Sequence, residues 1–274
     1  MKEIIHLLNV LLPLLYLTSI FFYSQSFFRS DRFAQKYKSS ILSVTCVLHL
    51  SFVVLKGLFF RRFPIGNVFE FASVLALSLV LIYLFIEFKL KLKTTGLFIL
   101  SIVFPLQLIS SLFFNPEYQL PTVLHSPMLI FHTSTVILGY SAFFLSALYA
   151  LMYLLLFHEL KKAQFGVIYQ KMPSLEALID LSYRTAVIGF FFLTITIFLG
   201  IMWRKNAFPD TAHMDPKVIA TYSVWVLYGI LIIGKKFARW TNKWLAYLSI
   251  VGLVVIILSM IIVNLLVKSF HQFG

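Results

Sequence analysis

The side chains best suited to chemistry in this sequence are its seven histidines. A neutral imidazole carries one donor and one acceptor nitrogen, and it binds iron, copper or zinc. His132 and His271 lie near the ends of apolar segments, whereas His49 lies within one. A histidine near a segment end is often a solvated loop residue, and a lone histidine within a span often bonds a neighbouring helix. The residue types therefore allow metal ligation without deciding it.

Other motifs for catalysis or transport are missing from the sequence. It contains no P-loop, no GxSxG and no HExxH segment, and the single Cys46 excludes both a CxxC redox pair and a CxxCH haem-attachment site. Glu70 and Glu87 are the only acids within or at the edge of the first four apolar segments. A proton or ion pump usually needs paired ionisable groups at the membrane midplane. The sequence therefore disfavours hydrolytic catalysis and ion pumping.

The elements that must position the histidines are predicted to be membrane-spanning helices. Hydrophobic residues make up 60% of the 274 residues and charged residues only 12%, against about 25% charged residues in a soluble domain. A bilayer core needs roughly 20 apolar residues per helix. We predict an all-α, polytopic membrane bundle of about eight transmembrane helices, forming a single integral-membrane domain over residues 1–274. The predicted spans lie near 4–28, 39–60, 68–88, 95–114, 128–157, 181–203, 217–234 and 244–268.

The positive side chains predict the orientation of these spans. Fifteen of the 23 Lys and Arg residues fall on one side of the predicted membrane and eight on the other. Because positive loops mark the cytoplasm, both termini are predicted to be external, and His132 and His271 then lie at or near the external face. The net charge of +13 does not predict nucleic-acid binding, because the cations lie at helix ends rather than on one continuous basic face.

Five segments, taken in order along the chain, resemble the CcsA family of cytochrome c assembly proteins. The first three are RRFPIGNVFEF (61–71), which carries Asn67 and Glu70, SPMLIFHTSTVILGYSAF (126–143) and LIDLSYRTAVIGFFFLTITIFLGIMW (178–203). The last two are DPKV (215–218) and VNLLVKSFHQFG (263–274). Each segment is weakly specific alone, but five in register form a fairly specific signal over most of the chain.

The resemblance implies that haem b binds at the external face, with His132 and His271 as the iron ligands. Two imidazoles on opposite faces of a haem give a low-spin arrangement suited to storage or transfer. The external cations Arg204, Lys205 and Lys217 could pair with the haem propionates, as could Arg61 and Arg62. Within the external loop, Phe208 and Met214 occupy two of the positions where the family has tryptophan.

Two departures from the family pattern point to a second interpretation. The loop FPDTAHMDPKV (208–218) lacks the family's three tryptophans, and Ile233 stands where haem-exporting members have an intramembrane histidine. Both losses resemble the HemX-type branch, which implies control of haem supply through contact with an early enzyme of tetrapyrrole synthesis. In that alternative the chain is a membrane regulator that binds no haem tightly.

The main prediction is a haem-handling protein of the bacterial cytoplasmic membrane. It would support cytochrome c assembly or haem homeostasis, as an accessory to haem attachment rather than a catalyst by itself. The expected partners are haem, membrane lipid, and either other cytochrome c maturation proteins or a cytoplasmic haem-biosynthesis enzyme. No nucleic-acid partner is expected.

Overall fold

The structure, a computed structural model, describes residues 1–115, 126–163, 165–207 and 215–265, with the helical backbone alone for 204–207 and 263–265. All the regular secondary structure in these ranges is helical, which confirms the all-α prediction. The helices are α1 (Lys2–Ser24), α2 (Arg32–Phe60), α3 (Val68–Leu90), α4 (Gly96–Leu112), α5 (Pro127–Lys161), α6 (Val167–Lys171), α7 (Leu175–Ala207), α8 (Pro216–Lys236) and α9 (Asn242–Leu265). A π-helical turn, Gln25–Arg29, continues α1.

Seven helices within the described ranges are long and apolar enough to cross a bilayer. They are α1 with its π-helical turn, α2, α3, α5, α7, α8 and α9. The fourth predicted span is the shorter apolar helix α4, which has 17 residues. At about 1.5 Å per residue it is roughly 25 Å long, close to the lower limit for a span. The protein is therefore a multi-pass helical membrane protein, as predicted.

Three of the motif segments begin helices through side-chain caps. The Asn67 Oδ1 atom accepts a hydrogen bond from the Glu70 amide at 2.8 Å and caps α3. Ser126 caps α5 and Asp215 caps α8, each followed directly by a proline. A side-chain oxygen at the N-cap satisfies an amide that the helix leaves unpaired, and proline tolerates the first helical position. These motifs therefore fix where α3, α5 and α8 start.

The described helices fall into two compact units. Unit 1 comprises Met1–Tyr118 and Phe165–Pro173, and unit 2 comprises Gln119–Gln164 and Ser174–Gly274. Compactness alone does not decide whether the units fold separately, so the single integral-membrane domain stays a prediction. Unit 1 contains α1 to α4 and the short α6, whereas unit 2 contains α5, α7, α8 and α9.

The long helices of unit 2 are joined by small polar side chains. Ser146 of α5, Ser182 of α7 and Ser249 of α9 lie within 3.2–3.3 Å of one another and are almost fully buried. Toward the start of α5, Thr196 donates a hydrogen bond to Thr135 at 2.8 Å. Ser146 contacts Ser182, whereas the earlier Thr135 contacts the later Thr196, so α5 and α7 are antiparallel. Small hydroxyl residues allow close helix approach in an apolar medium.

Candidate functional site

The structure describes the side chains of two residues among the seven predicted to bind haem. These are His132, on the second turn of α5, and Lys217, in the first turn of α8. Arg204 and Lys205 lie on the last turns of α7, where only the helical backbone is described. The predictions for Phe208, Met214 and His271 lie outside the described residues.

One ring nitrogen of His132 is buried against α7. The Nδ1 atom has almost no accessible surface and makes no regular hydrogen bond within the described residues, but the Thr196 backbone lies close enough to accept from the ring. The His132 carbonyl accepts a hydrogen bond from Thr135 Oγ1 at 2.7 Å, and Thr135 is bonded to Thr196. This hydrogen-bonded link between α5 and α7 fixes the position of the imidazole along the axes of both helices. A ring nitrogen held next to a backbone acceptor is typical of a histidine whose other nitrogen serves as a metal ligand.

The surface facing the imidazole is made by Gly200 and Trp203 of α7. A Cβ atom at Gly200 would lie 3.1 Å from His132 Cε1, so any larger residue would push the ring aside. The Trp203 ring lies with its centroid 6.3 Å from that of His132 and is 9% exposed. Neither residue was singled out from the sequence as a site residue, because only the register of α7 against α5 brings them to His132.

Lys217 supplies positive charge at the same end of unit 2. Its amide is held by the Asp215 carboxylate at 2.9 Å, in the cap of α8, and its charge lies close enough to act on the His132 ring. Helices α5 and α8 run in the same direction, since Tyr228 of α8 stacks on Phe143 of α5 and Tyr140 contacts Thr221. Two helix N-termini, each with a partial positive charge, therefore lie at this end.

The described residues at this end suit a haem iron in type and arrangement. An imidazole lies near the helix end, a glycine makes room for its ring, a tryptophan lies close by, and a lysine provides a counter-charge. Haem needs this combination, because its iron takes imidazole nitrogen, its ring is flat and apolar, and its propionates are anionic. His271 follows α9, which runs antiparallel to α8 and so ends at the same end of the unit as Lys217.

The motif residues of unit 1 form an internal ion cluster. Glu70 accepts hydrogen bonds from Arg62 at 2.6 and 3.1 Å and from the Gly66 amide at 2.8 Å, and the Lys56 ammonium lies 3.1 Å from it. The side chains of Lys56, Arg62 and Glu70 are only 3–6% exposed. Arg62, which the sequence offered as a partner for the propionates, is thus bound to Glu70 and holds the turn before α3.

His49, in the same unit, has both ring nitrogens occupied. Tyr16 Oη lies 2.8 Å from Nδ1 and Ser73 Oγ lies 2.9 Å from Nε2, and the ring is fully buried. Ser73 donates onward to Gln107 at 2.9 Å, so the network joins α1, α2, α3 and α4. Of the two roles that the sequence left open for His49, this geometry supports helix–helix hydrogen bonding.

Comparison with known proteins gives one consistent family. The family model described as "Cytochrome C assembly protein" matches residues 65–271. A protein named "Cytochrome c biogenesis protein CcsA" from Guillardia theta is 29% identical over 231 residues, 77% of each chain. A protein with the same name from Mesostigma viride is 25% identical over 98% of this chain and 96% of its own.

A relative with a different name matches equally well. "Protein HemX" from Brevibacillus brevis is 29% identical over 220 residues, covering 77% of this chain and 80% of its own. The matched region contains His132, Gly200, Lys217 and His271, together with the Asn67 and Glu70 motif. From the extent of the family match, we conclude that the chain belongs to the cytochrome C assembly protein family.

Proposed function

We propose that this protein handles haem for cytochrome c assembly by binding haem b at the external end of unit 2, where His132 and His271 would ligate the iron. The observation that carries the proposal is the position of the His132 ring near the start of α5, where it packs against Gly200, lies close to Trp203 and is within reach of the Lys217 charge. A ligand histidine is typically oriented through one ring nitrogen and keeps the other for the metal, and the Thr196 backbone next to the ring suits that arrangement.

Each neighbour of His132 has a defined task in this proposal. Gly200 gives the imidazole room, and the Thr135–Thr196 hydrogen bond fixes the position of the imidazole along α5. Lys217, with Arg204 and Lys205 on the last turns of α7, pairs with the propionates. Phe208 and Met214 provide the remaining apolar surface of the external loop. The bound haem would supply a redox-active iron, and the protein's contribution is to hold and orient it.

The chain acts as an accessory to attachment rather than as a catalyst by itself. Joining haem to an apocytochrome requires reduced thiols, and the lone Cys46 lies buried within α2. We therefore propose partners among the cytochrome c maturation proteins, in a bacterial cytoplasmic membrane with both termini external. The cations at the other ends of the helices support this orientation.

The test is the visible spectrum of the full-length protein in detergent, oxidised and reduced, with and without added haemin. The wild type is expected to show low-spin haem, and His132→Ala and His271→Ala are each expected to weaken that spectrum or turn it high-spin. His158→Ala is the matched control, because it makes the same change at the opposite end of α5. A wild type that stays colourless with haemin, or His variants identical to it, would overturn the proposal.

A regulatory function is the second candidate, and the HemX relative favours it. In this case the chain would bind no haem tightly and would contact an early tetrapyrrole-biosynthesis enzyme through its cytoplasmic loops. His132→Ala would then leave cellular tetrapyrrole levels unchanged, whereas neutralising Lys235, Lys236 and Arg239 would alter them. Measuring the haem spectrum of the protein and the tetrapyrrole level of the cells in the same strains separates the two functions.

A further inference from the structure

Three lysines of unit 1 converge on one short turn at the end that the sequence predicts to be cytoplasmic. Lys38 Nζ donates to Ser26 Oγ at 3.0 Å and to the Lys93 carbonyl at 3.3 Å. Lys171 Nζ donates to the Ser26 carbonyl at 3.3 Å and to the Ser30 hydroxyl. Two ammonium groups are thus hydrogen-bonded to one residue, Ser26, one through its side chain and one through its carbonyl, although they come from α2 and α6.

The charge of this cluster is incompletely balanced. Lys93 and Lys171 both lie close enough for their charges to oppose that of Lys38. No ion pair within 4.0 Å joins any of the three to a carboxylate in the part of the chain that the structure describes. The Glu87 carboxylate favours the charge of Lys38, but it accepts its hydrogen bonds from Tyr23 at 2.5 Å and from Ser39. The bonding partners of the Lys38 and Lys171 ammonium groups are therefore neutral oxygens.

The cluster also has an open side. Lys38 is only 6% exposed, Lys171 is half-buried, and Lys93 and Ser30 are exposed. Ser30 adopts a left-handed conformation with φ of 55°, which ends the π-helical turn and reverses the chain before α2. Exposure therefore increases from Lys38 through Lys171 to Lys93, so an anion can approach the lysines from the surface.

Apolar side chains beside this opening indicate the source of the anion. Phe28 is 55% exposed, Phe33 is 62% exposed and Tyr37 is 38% exposed, and the last two rings lie 4.6 Å apart. A tyrosine at the end of a span, such as Tyr37, is typical of the headgroup level of a bilayer, and the exposed Phe28 and Phe33 rings can contact acyl chains. A ligand held here would place an anionic group on the lysines and apolar chains against the aromatic rings. That combination describes an anionic phospholipid rather than a free phosphate.

We propose that Lys38, Lys93 and Lys171, gathered around Ser26 and Ser30, bind the phosphate headgroup of an anionic phospholipid. The bound headgroup would relieve repulsion among the lysines and would tie α6 to the α1–α2 turn. The site lies within unit 1 and does not depend on haem binding.

The experiment is native mass spectrometry of the delipidated full-length protein titrated with phosphatidylglycerol, phosphatidylcholine and inorganic phosphate. Phosphatidylglycerol is expected to bind more tightly than phosphatidylcholine, and Lys171→Gln is expected to weaken it about fivefold, the effect of one lysine near an anionic surface. Lys161→Gln removes an exposed cation elsewhere and is expected to change nothing. Lys38→Met serves as a second variant, with its melting temperature confirming that it is folded.

Two outcomes would overturn the proposal. Equal affinity for phosphatidylglycerol in the wild type, Lys171→Gln and Lys38→Met would show that the lysines bind no headgroup. Inorganic phosphate binding that depends on the same lysines, without preference for phosphatidylglycerol, would assign the site to a soluble phosphate compound instead of a lipid.

Discussion

His49 and His132 both belong to long apolar helices, but His49 lies in the middle of α2 whereas His132 lies near the start of α5, and their surroundings differ. His49 of unit 1 lies between Tyr16 and Ser73 and uses both ring nitrogens. The His132 ring of unit 2 packs against a glycine, and its buried Nδ1 makes no regular hydrogen bond within the described residues but lies beside the Thr196 backbone. The same residue type thus completes a side-chain hydrogen-bond network in one unit and lies outside such a network, near a helix end, in the other.

This difference indicates which polar residues in these membrane helices are structural and which are candidates for ligand binding. A satisfied network, such as that of His49 or that of Glu70 with Lys56 and Arg62, fixes which helices pack together. A polar residue that lies outside such a network, near a helix end, is a candidate for binding a ligand. The networks around His49 and Glu70 are therefore interpreted as structural, and the His132 end of unit 2 as the binding region.

The largest expected effect is at Glu70. Glu70→Ala would leave Lys56 and Arg62 buried without their carboxylate, and removing one partner of a buried ion pair costs about 3–5 kcal/mol. The unfolding free energy, measured by detergent titration in mixed micelles, should fall by that amount. Glu3→Ala removes an exposed carboxylate from α1 and should have little effect. A loss below about 1 kcal/mol for Glu70→Ala would show that the buried ion cluster of unit 1 does not stabilise the fold.

The second prediction compares the histidines directly. His49→Ala leaves the Tyr16 and Ser73 hydroxyls without imidazole partners, and we expect a loss of about 2 kcal/mol in unfolding free energy. His132→Ala removes a ring of the same size but breaks no comparable side-chain network, so its loss should be the smaller of the two. Both variants are measured by the same titration. Equal losses, or a larger loss for His132→Ala, would mean that His132 is the structural residue.

Much of the fold was predictable because the signals are local. Apolar runs of bilayer length predicted the helices, and α4 differs only in being shorter than the other spans. The predicted span 181–203 lies inside the longer helix Leu175–Ala207, because helical structure continues beyond the hydrophobic core into polar residues. The spacing of Asn67 and Glu70 is that of a capping box, and that signal could have located the start of α3.

The contacts of the site were less predictable, since they depend on helices far apart in sequence. His132 was found through a family resemblance, whereas Gly200 and Trp203 lie about 70 residues further along the chain and become neighbours only through the register of α7 on α5. The partner of Arg62 was missed for the opposite reason. Glu70 is only eight residues away, but a turn must reverse the chain before the two side chains meet.

The smallest expected effect concerns the space beside His132. Gly200→Ala would place a Cβ atom 3.1 Å from His132 Cε1 and shift the ring by a few tenths of an ångström. Because residues that orient a metal ligand typically change affinity by 10–100-fold, we expect haemin affinity to fall about tenfold in a spectroscopic titration. In the control Gly229→Ala, the new Cβ would lie 3.4 Å from Phe190 Cε2, an ordinary contact, and affinity should stay constant. Identical affinity in both variants would show that the imidazole does not need the gap at Gly200, and His132 would then lose the feature that most distinguishes it from His49.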